Sequence, residues 1–485
     1  MLKHNESHSK DFKSLNEWLC YLETIHTTEI DLGLSRISEV AKRLSIDFSF
    51  ARVITVAGTN GKGTTCAFLE NALLGEPASS DLNIDEEENT LTQSVAVYSS
   101  PHIEHFNERL RINKCNVDDQ SLIKVFEEIE IARADISLTY YEYTTLAAFL
   151  VLMAVKPEVI ILEVGLGGRL DATNIIDADV AVVTTVDIDH QAFLGNDRET
   201  IGFEKAGIMR GNQHIIIGDP NAPQSVLNYA NKVNDEQEYN NQAAAYKKIK
   251  VRNRDFFNIL PTSSHSQCSS NWQWLYKEFD SKGHEIEFCL NDLNNTKIPQ
   301  DNVVTALMVL KQLGIKLTSK KVNALINQTQ VAGRTELFKA PVFNKSALDD
   351  HEIITYKLNS DVMLDVGHNP HAGRYLAAKL TQFKSQNQYQ RIIAVVGMLA
   401  DKDIANTLLP FQGIIDDWHV ASLSAPRTAS SEQIVSQLSS FTKSINCFDN
   451  ITQAFKMANL KAESTDLILV FGSFYTVAEI RQLII

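Results

Sequence analysis

Val53-Ile54-Thr55-Val56-Ala57-Gly58-Thr59-Asn60-Gly61-Lys62-Gly63-Thr64-Thr65 is the stretch on which the fold turns. Its first five residues are a β-branched apolar run of the kind that makes a buried strand, a glycine-rich turn follows, and residues 66–74 have helical spacing. Strand, turn and helix in that order form a phosphate cradle. Glycines let backbone N–H groups close around phosphate oxygens, the helix N-terminus adds the positive end of its dipole, and Lys62 supplies a point charge. Thr64 or Thr65 is then placed to face a bound magnesium. The stretch departs from GxxxxGK[ST], because Val56 stands five before Gly61 and Gly63 separates Lys62 from Thr64. That shift moves the first hydroxyl by one residue, so a metal needs a ligand from elsewhere. As local structure alone the stretch is a tight turn with a surface lysine, a reading weakened by the concentration of glycine and lysine directly after a buried strand.

Outward from this turn, similar short runs recur at residues 95–98, 159–164, 180–186 and 215–218, each followed by a loop and a helix-period segment. This is the sequence form of a mostly parallel sheet covered on both faces. The pattern restarts after Val331, with strands expected at 362–366, 392–396, 419–423 and 467–471 and helices at 372–383 and 476–485. The expectation is an α/β protein with two domains joined near 328–334: a P-loop-type domain over 1–330 and a smaller Rossmann-like domain over 331–485. Three stretches read as solvated surface insertions: 76–92 with its run Asp85-Glu86-Glu87-Glu88, the Asn/Gln-rich 220–250, and the Ser-rich 263–270. No internal repeat is evident.

With 485 residues, 44% hydrophobic and 22% charged, the chain has the balance of an ordinary globular protein and length for two or three domains. Lys and Arg number 45 against 60 Asp and Glu, a net charge of −15, so the surface field repels nucleic acid and anionic membrane. An anionic ligand must therefore be captured by a local cluster of donors. The longest apolar stretch, 143–155, stops at Lys156 and falls short of the roughly 20 residues a membrane span needs. The N-terminal MLKHNESHSKDFK lacks the apolar core of a signal peptide, and the chain is expected in the cytoplasm. Cys20, Cys66, Cys115, Cys268, Cys289 and Cys447 form no CxxC pair and are expected to be reduced and mostly buried.

Eight motifs in order carry a family resemblance: GTNGKGT (58–64), SSPHIEHFNERLRI (99–112), EVGLGGRLDATN (163–174), DRETIGFEKAGI (197–208), AGRTE (332–336), LDVGHNPHA (364–372), GMLADKDI (397–404) and GSFYTVAE (472–479). Together they resemble folylpolyglutamate synthases, and more closely the bifunctional dihydrofolate synthase/folylpolyglutamate synthases of bacteria, within the Mur ligase superfamily. The resemblance implies a Mur ligase central-domain-like first domain and ATP-dependent amide formation through an acyl phosphate. L-glutamate is added first to dihydropteroate and then to reduced folates. It implies ATP and Mg²⁺ as cofactors, optionally with a second monovalent or divalent cation, and a monomer whose partners are small molecules.

Some of these positions also carry a reading of their own. Glu163 ends a buried strand at the edge where open α/β sheets bind ligands. A buried carboxylate there needs a partner, and an oxygen-ligated Mg²⁺ beside ATP supplies one. By resemblance, Ser100, Glu163 and His190 hold the metal; taken alone, His190 is an ordinary loop histidine, since Mg²⁺ prefers oxygen. Lys205 resembles a lysine that is carbamylated to give the metal cluster a carboxylate, whereas an unmodified Lys205 is a cation able to meet phosphate. The resemblance further implies ATP contacts at Thr59, Asn60, Gly61, Lys62, Gly63, Thr64, Asn302, Arg334 and Asp365. Lys62, Lys205, His190 and Arg334 are expected to carry the transfer.

Dihydropteroate is expected at Asp31, Leu32, Gly33 and Leu34, at Thr139, Tyr140, Tyr141 and Glu142, and at Leu170, Asp171 and Ala172. Aromatics and carboxylates suit a flat heterocycle with N–H donors, though the aromatic run alone reads as core packing. The glycines of 165–168 have the wrong spacing for a dinucleotide fingerprint. Arg334 and Asp365 come from the second domain, which implies ATP clamped on closure, and His368 either helps bind glutamate or is an unremarkable loop residue. Three positions depart from the family pattern: Ala332 replaces proline before Gly333-Arg334, Phe193 replaces tryptophan, and Gln191 replaces threonine. They bear on hinge stiffness and substrate preference and leave the chemistry intact. Alternatives are a synthase that only polyglutamylates, against which DLGL and TYYE argue; a cell-wall amino-acid ligase, against which SSPH and EKAGI argue; and a nucleotide-binding regulator without turnover.

Overall fold

The computed structural model describes residues 12–75, 94–238, 248–260, 271–279, 284–340, 343–348, 352–425 and 427–485. The expected acidic insertion at 76–92, the Ser-rich stretch at 263–270, Cys268 and residues 1–11 lie outside the described residues. The chain divides into two compact units. One holds Met1–Val186 and Asp197–Thr329; the other holds Asp187–Asn196 and Gln330–Ile485.

In the first unit, strands β1 (Arg52–Ala57), β2 (Val95–Tyr98), β3 (Leu110–Ile112), β4 (Cys115–Asn116), β5 (Val159–Glu163), β6 (Val180–Val183), β7 (His214–Ile217) and β8 (Ile249–Val251) form one sheet. Its order is β4-β3-β2-β5-β1-β6-β7-β8. Only the β2-β3-β4 edge is antiparallel; the rest is parallel, with Ile54 of β1 facing Ile161 of β5 and Val180 of β6. β2, β5 and β6 are buried at every residue, which is why they read as unbroken apolar runs rather than alternating ones. One face of the sheet packs Tyr98, Ile160 and Leu162 with Trp18, Phe126, Tyr143 and Phe149. Side chains alternate along a strand, so Glu163 of β5 lies on the opposite face from Leu162. A separate antiparallel sheet of β9 (Phe256–Ile259), β10 (Trp272–Phe279) and β11 (Glu285–Leu293) buries Trp272, Trp274 and Tyr276 at alternate positions.

Two expectations need correction in this unit. The strand expected to reach Val186 stops at Val183, because Thr184 and Thr185 turn their hydroxyls onto the phosphate loop. Residues 220–250 are not simply an insertion: Gln224–Glu238 is a helix that buries Val226 and Ala230, and 249–250 belong to β8. Asn and Gln on its outer face masked the period. Across both units the described cysteines are free thiols, but the expectation that they are mostly buried fails: Cys20, Cys115, Cys289 and Cys447 are exposed and Cys66 is buried; Cys115 and Cys289 sit on outward-facing strand positions.

In the second unit, β12 (Glu336–Phe338), β15 (Asp361–Asp365), β16 (Ile392–Val396), β17 (Asp417–Ala421), β18 (Ile445–Phe448) and β19 (Leu467–Phe471) form a sheet ordered β12-β15-β19-β16-β17-β18. Strand β12 alone runs antiparallel. The hairpin β13 (Phe343–Leu348) and β14 (Glu352–Lys357) forms a separate sheet. Met363, Trp418, Leu469 and Phe471 build the core with Leu376 and Leu380 of helix Pro370–Ser385. The strand expected at 419–423 begins and ends two residues earlier; Ser422 is held instead to the next helix, accepting from the Ser431 main-chain N–H at 3.0 Å.

Candidate active site

Helix Lys62–Leu74 starts at Gly61, whose backbone is left-handed at φ +85°. Nearly every side chain from Thr64 to Leu73 is buried, so the helix is fixed by packing rather than by a polar face. The loop before it is tied down by main-chain and hydroxyl bonds. Thr59 N–H donates to the Thr185 carbonyl at 2.7 Å, and Asn60 N–H to Thr185 Oγ1 at 3.1 Å. Thr184 and Thr185 hydroxyls both donate to the Asn60 carbonyl, at 2.6 and 3.0 Å. Lys62 Nζ donates to the Gly58 carbonyl at 2.9 Å, folding back over the loop. Asn302, far away in sequence on helix Gln300–Gln312, is buried and donates to Thr64 Oγ1 at 2.6 Å. A Cβ on Gly61 would stand 2.3 Å from Asn302 Oδ1. Thr64, not Thr65, therefore presents its hydroxyl within the loop.

Glu163 is 5% exposed, and a Cβ on Gly63 would lie 3.5 Å from its Oε2. Its carboxylate thus faces the first turn of the phosphate helix. Burial, then the nearby Glu163 charge, pushes the Cys66 thiol well above its ordinary range, so this cysteine is neutral. No group of three or more His, Cys, Asp or Glu side chains surrounds a metal position among the described residues. A buried carboxylate and a threonine hydroxyl at a helix N-terminus fit a hard cation that takes its remaining ligands from phosphate oxygens and water, which is how Mg²⁺ is held.

Asp171 caps the turn Ala172–Ile175 and is 3% exposed. Its Oδ2 accepts the Leu166 N–H at 2.9 Å, and its Oδ1 accepts the Thr173 N–H and hydroxyl at 3.0 and 2.7 Å. The Tyr141 hydroxyl stands 3.5 Å from Oδ1. Burial, reinforced by the Asp171 charge and opposed by the Ser100 hydroxyl, pushes the Tyr141 phenol far up. Ser100, Tyr141 and Asp171 are therefore one cluster. Gly165 permits it: any Cβ there would overlap the Tyr141 ring at 2.6 Å. Leu170 and Ala172 flank Asp171 as the chain enters this turn. Lys205 is buried in the last turn of helix Arg198–Ala206, next to Glu204, which takes the Arg169 guanidinium through both oxygens.

Thr139 and Glu142 form a reciprocal cap at the start of helix Tyr140–Val155. Tyr140 is covered by Arg109, whose guanidinium lies 5.4 Å from the ring centroid and whose Nε donates to His102 at 2.9 Å. Burial, then Arg109, pulls His102 down to about 4, so it accepts as a neutral ring. Leu34 stands immediately before helix Ser35–Arg43, Leu32 and Gly33 are half-buried, and Asp31 is exposed.

In the second unit, Asp365 ends β15 and is 7% exposed. It accepts N–H groups of Thr335 at 2.8 Å and Gly367 at 2.7 Å. Burial raises its pKa, and the nearby Arg334 charge works against that rise. The Arg334 guanidinium lies 5.2 Å from the Phe474 ring centroid. Glu336 fixes the loop by accepting Gly333 N–H at 2.8 Å and pairing with Arg481. His190 is exposed, left-handed at φ +51°, and starts the short helix Gln191–Leu194. Its neighbour Asp189 is clamped by Lys402 Nζ and Asn369 Nδ2, both at 2.9 Å, with His368 Nε2 at 3.7 Å.

Sequence reading missed Thr184, Thr185, Asp189, Lys402 and Gly165 as parts of these clusters. Each acts on a residue distant in the chain, so no local pattern marks it. The exception is Gly165, whose place in the glycine-rich run was visible without its purpose.

The Mur ligase middle domain matches residues 56–273 and the Mur ligase glutamate ligase domain matches 352–474. The dihydrofolate synthase/folylpolyglutamate synthase of Haemophilus influenzae is 37% identical over 481 residues, 98% of each chain. Escherichia coli FolC in complex with DHPP and ADP superposes with a TM-score of 0.78 at 37% identity, covering 97% of this chain and 98% of that one. The bifunctional enzyme of Yersinia pestis complexed with AMPPNP and Mn ion does so with a TM-score of 0.77 at 36% identity, covering 97% and 98%.

Proposed function

The chain belongs to the dihydrofolate synthase/folylpolyglutamate synthase family of Mur ligases, and on that premise we propose how its own residues carry an ATP-dependent ligation. The enzyme joins L-glutamate to dihydropteroate, giving dihydrofolate, and to reduced folates, giving folylpolyglutamates, with ATP and a divalent metal. A carboxylate is a poor acylating agent. Transfer of the γ-phosphate to it makes a leaving group, and the glutamate amine then attacks the acyl phosphate. The protein's task is positioning and positive charge.

Residues 59–64 cradle the phosphates, Lys62 neutralises charge on the transferring group, and Asn302 holds the Thr64 hydroxyl. Ser100, Glu163 and His190 are assigned to the divalent metal, which draws charge from the phosphates when bound. Lys205, buried in the last turn of helix Arg198–Ala206, is assigned as the carbamylated lysine. Asp31 to Leu34, Thr139 to Glu142 and Leu170 to Ala172 are assigned to dihydropteroate. The domain assignment gives ATP and pterin contacts to residues 1–330, and the ATP contacts of Arg334 and Asp365, with glutamate, to residues 331–485. We place the enzyme in the cytoplasm as a monomer, to be checked by fractionation and sedimentation.

The observation that carries this reading is the loop itself: a left-handed Gly61, a buried Asn302 against Thr64, and the Glu163 carboxylate facing the same helix turn. The test is phosphate release from ATP with dihydropteroate and L-glutamate. Release dependent on both supports it, and no release with any pterin leaves only a nucleotide-binding regulator. Lys62→Ala is expected to lower kcat at least a hundredfold with an unchanged melting temperature; near-normal turnover contradicts the loop assignment.

A further inference from the structure

One guanidinium ties together two segments that lie far apart in the chain. Arg36 donates through Nη1 to Asp31 Oδ2 and through Nη2 to the Asp31 main-chain carbonyl, both at 2.7 Å. Its Nε donates to Glu142 Oε2 at 3.3 Å, and Nη2 stands 3.2 Å from Glu142 Oε1. Glu142 is 5% exposed. The oxygen that meets Nε also accepts the Thr139 N–H at 2.8 Å, so Arg36 neutralises a carboxylate already committed to starting helix Tyr140–Val155. Asp31 is 43% exposed and also meets His26 Nε2 at 3.3 Å. It keeps an open edge for donors of a flat heterocycle.

A planar guanidinium carries its donors on separate nitrogens in a fixed fork and so reaches two carboxylates and a carbonyl at once, whereas an ammonium offers all its donors from one nitrogen. The geometry points to Arg36 as a positioning residue that holds 31–34 against 139–142 for the reaction whose acceptor is dihydropteroate. The inference rests on assigning those two segments to that substrate. Arg36 binds Asp31 and Glu142 rather than the phosphate loop, so its loss is expected to leave ATP handling unchanged.

The test compares wild type, Arg36→Lys and Arg36→Met in steady-state kinetics with dihydropteroate, with a reduced folate, and with ATP as the varied substrate. Arg36→Lys keeps the charge beside Glu142, and its melting temperature is expected to match wild type. Its KM for dihydropteroate is expected to rise about tenfold to a hundredfold, with KM for ATP and the reduced-folate reaction within about twofold of wild type. Arg36→Met is expected to lose more on dihydropteroate. An unchanged KM for dihydropteroate in both variants overturns the inference, as do parallel losses on all three substrates. Wild type that releases phosphate with reduced folate but not with dihydropteroate overturns the segment assignment and the inference with it. An active wild type with an unaltered Arg36→Lys overturns the inference alone.

Discussion

Asp171 shows how much a single side chain can be asked to do. Its Oδ1 is occupied by the turn it caps and its Oδ2 by the Leu166 N–H, and burial still raises its pKa against those hydrogen bonds. Asp171→Asn keeps the size but offers an amide where an acceptor is needed. The expected result is a larger rise in KM for dihydropteroate than for ATP, with about 1–2 kcal/mol lost in thermal or urea unfolding; equal KM changes place Asp171 away from the pterin.

A second residue-scale case lies away from the site. His419 is fully buried, with Nδ1 facing the Ala454 carbonyl at 3.1 Å and Nε2 facing Asp417 Oδ2 at 3.2 Å. Burial alone would raise Asp417, but hydrogen bonds from His419 and Ser444 and the His419 charge bring it down from 3.8 to about 2. A carboxylate depressed on folding contributes stability above its unfolded value and loses it as pH falls through the folded one. Stability from the lowered Asp417 carboxylate is therefore present above about pH 4 and lost toward pH 2. In Asp417→Asn the fall in urea midpoint between those two pH values is expected to be smaller than in wild type; an identical fall refutes the pairing.

At the scale of elements, strand β1, its turn and the following helix were legible because each is specified by neighbours in the chain: a buried run, glycines, then helical spacing. The left-handed Gly61 belongs to the same level. Gly61→Ala is expected to cost about 2 kcal/mol or more, from the backbone conformation together with the 2.3 Å approach to Asn302 Oδ1. It should also abolish heat on titration of Mg·ATP. Calorimetry and thermal unfolding check both, and an unchanged titration removes the loop from nucleotide binding. Elements with weaker local signals escaped notice: the short strands β3, β4, β12 and β18 at or next to sheet edges, and the helix Gln224–Glu238 hidden in an Asn/Gln-rich stretch. Edge strands are short and half-solvated, so their pattern is faint.

For the whole molecule, any ligand that binds only the native state stabilises it. A nonhydrolysable ATP analogue with Mg²⁺ at a hundred times its Kd is expected to add about 2.7 kcal/mol and raise the melting temperature by several degrees. Removing the metal with EDTA should cancel most of that gain, because the phosphates lose the cation that neutralises them. A shift insensitive to EDTA separates nucleotide binding from the metal assigned to Ser100, Glu163 and His190.

By itself, the sequence determined the class of fold and the kind of chemistry, since apolar runs, glycine turns and motif order are all written along the chain. Tertiary structure alone decided that Asn302 reaches Thr64, that Tyr141 lies on Gly165 beside Asp171, that Arg36 joins Asp31 to Glu142, and that 187–196 groups with 330–485. Local propensity acts over a few residues, whereas a hydrogen bond between distant residues exists only after the sheet has brought their elements together.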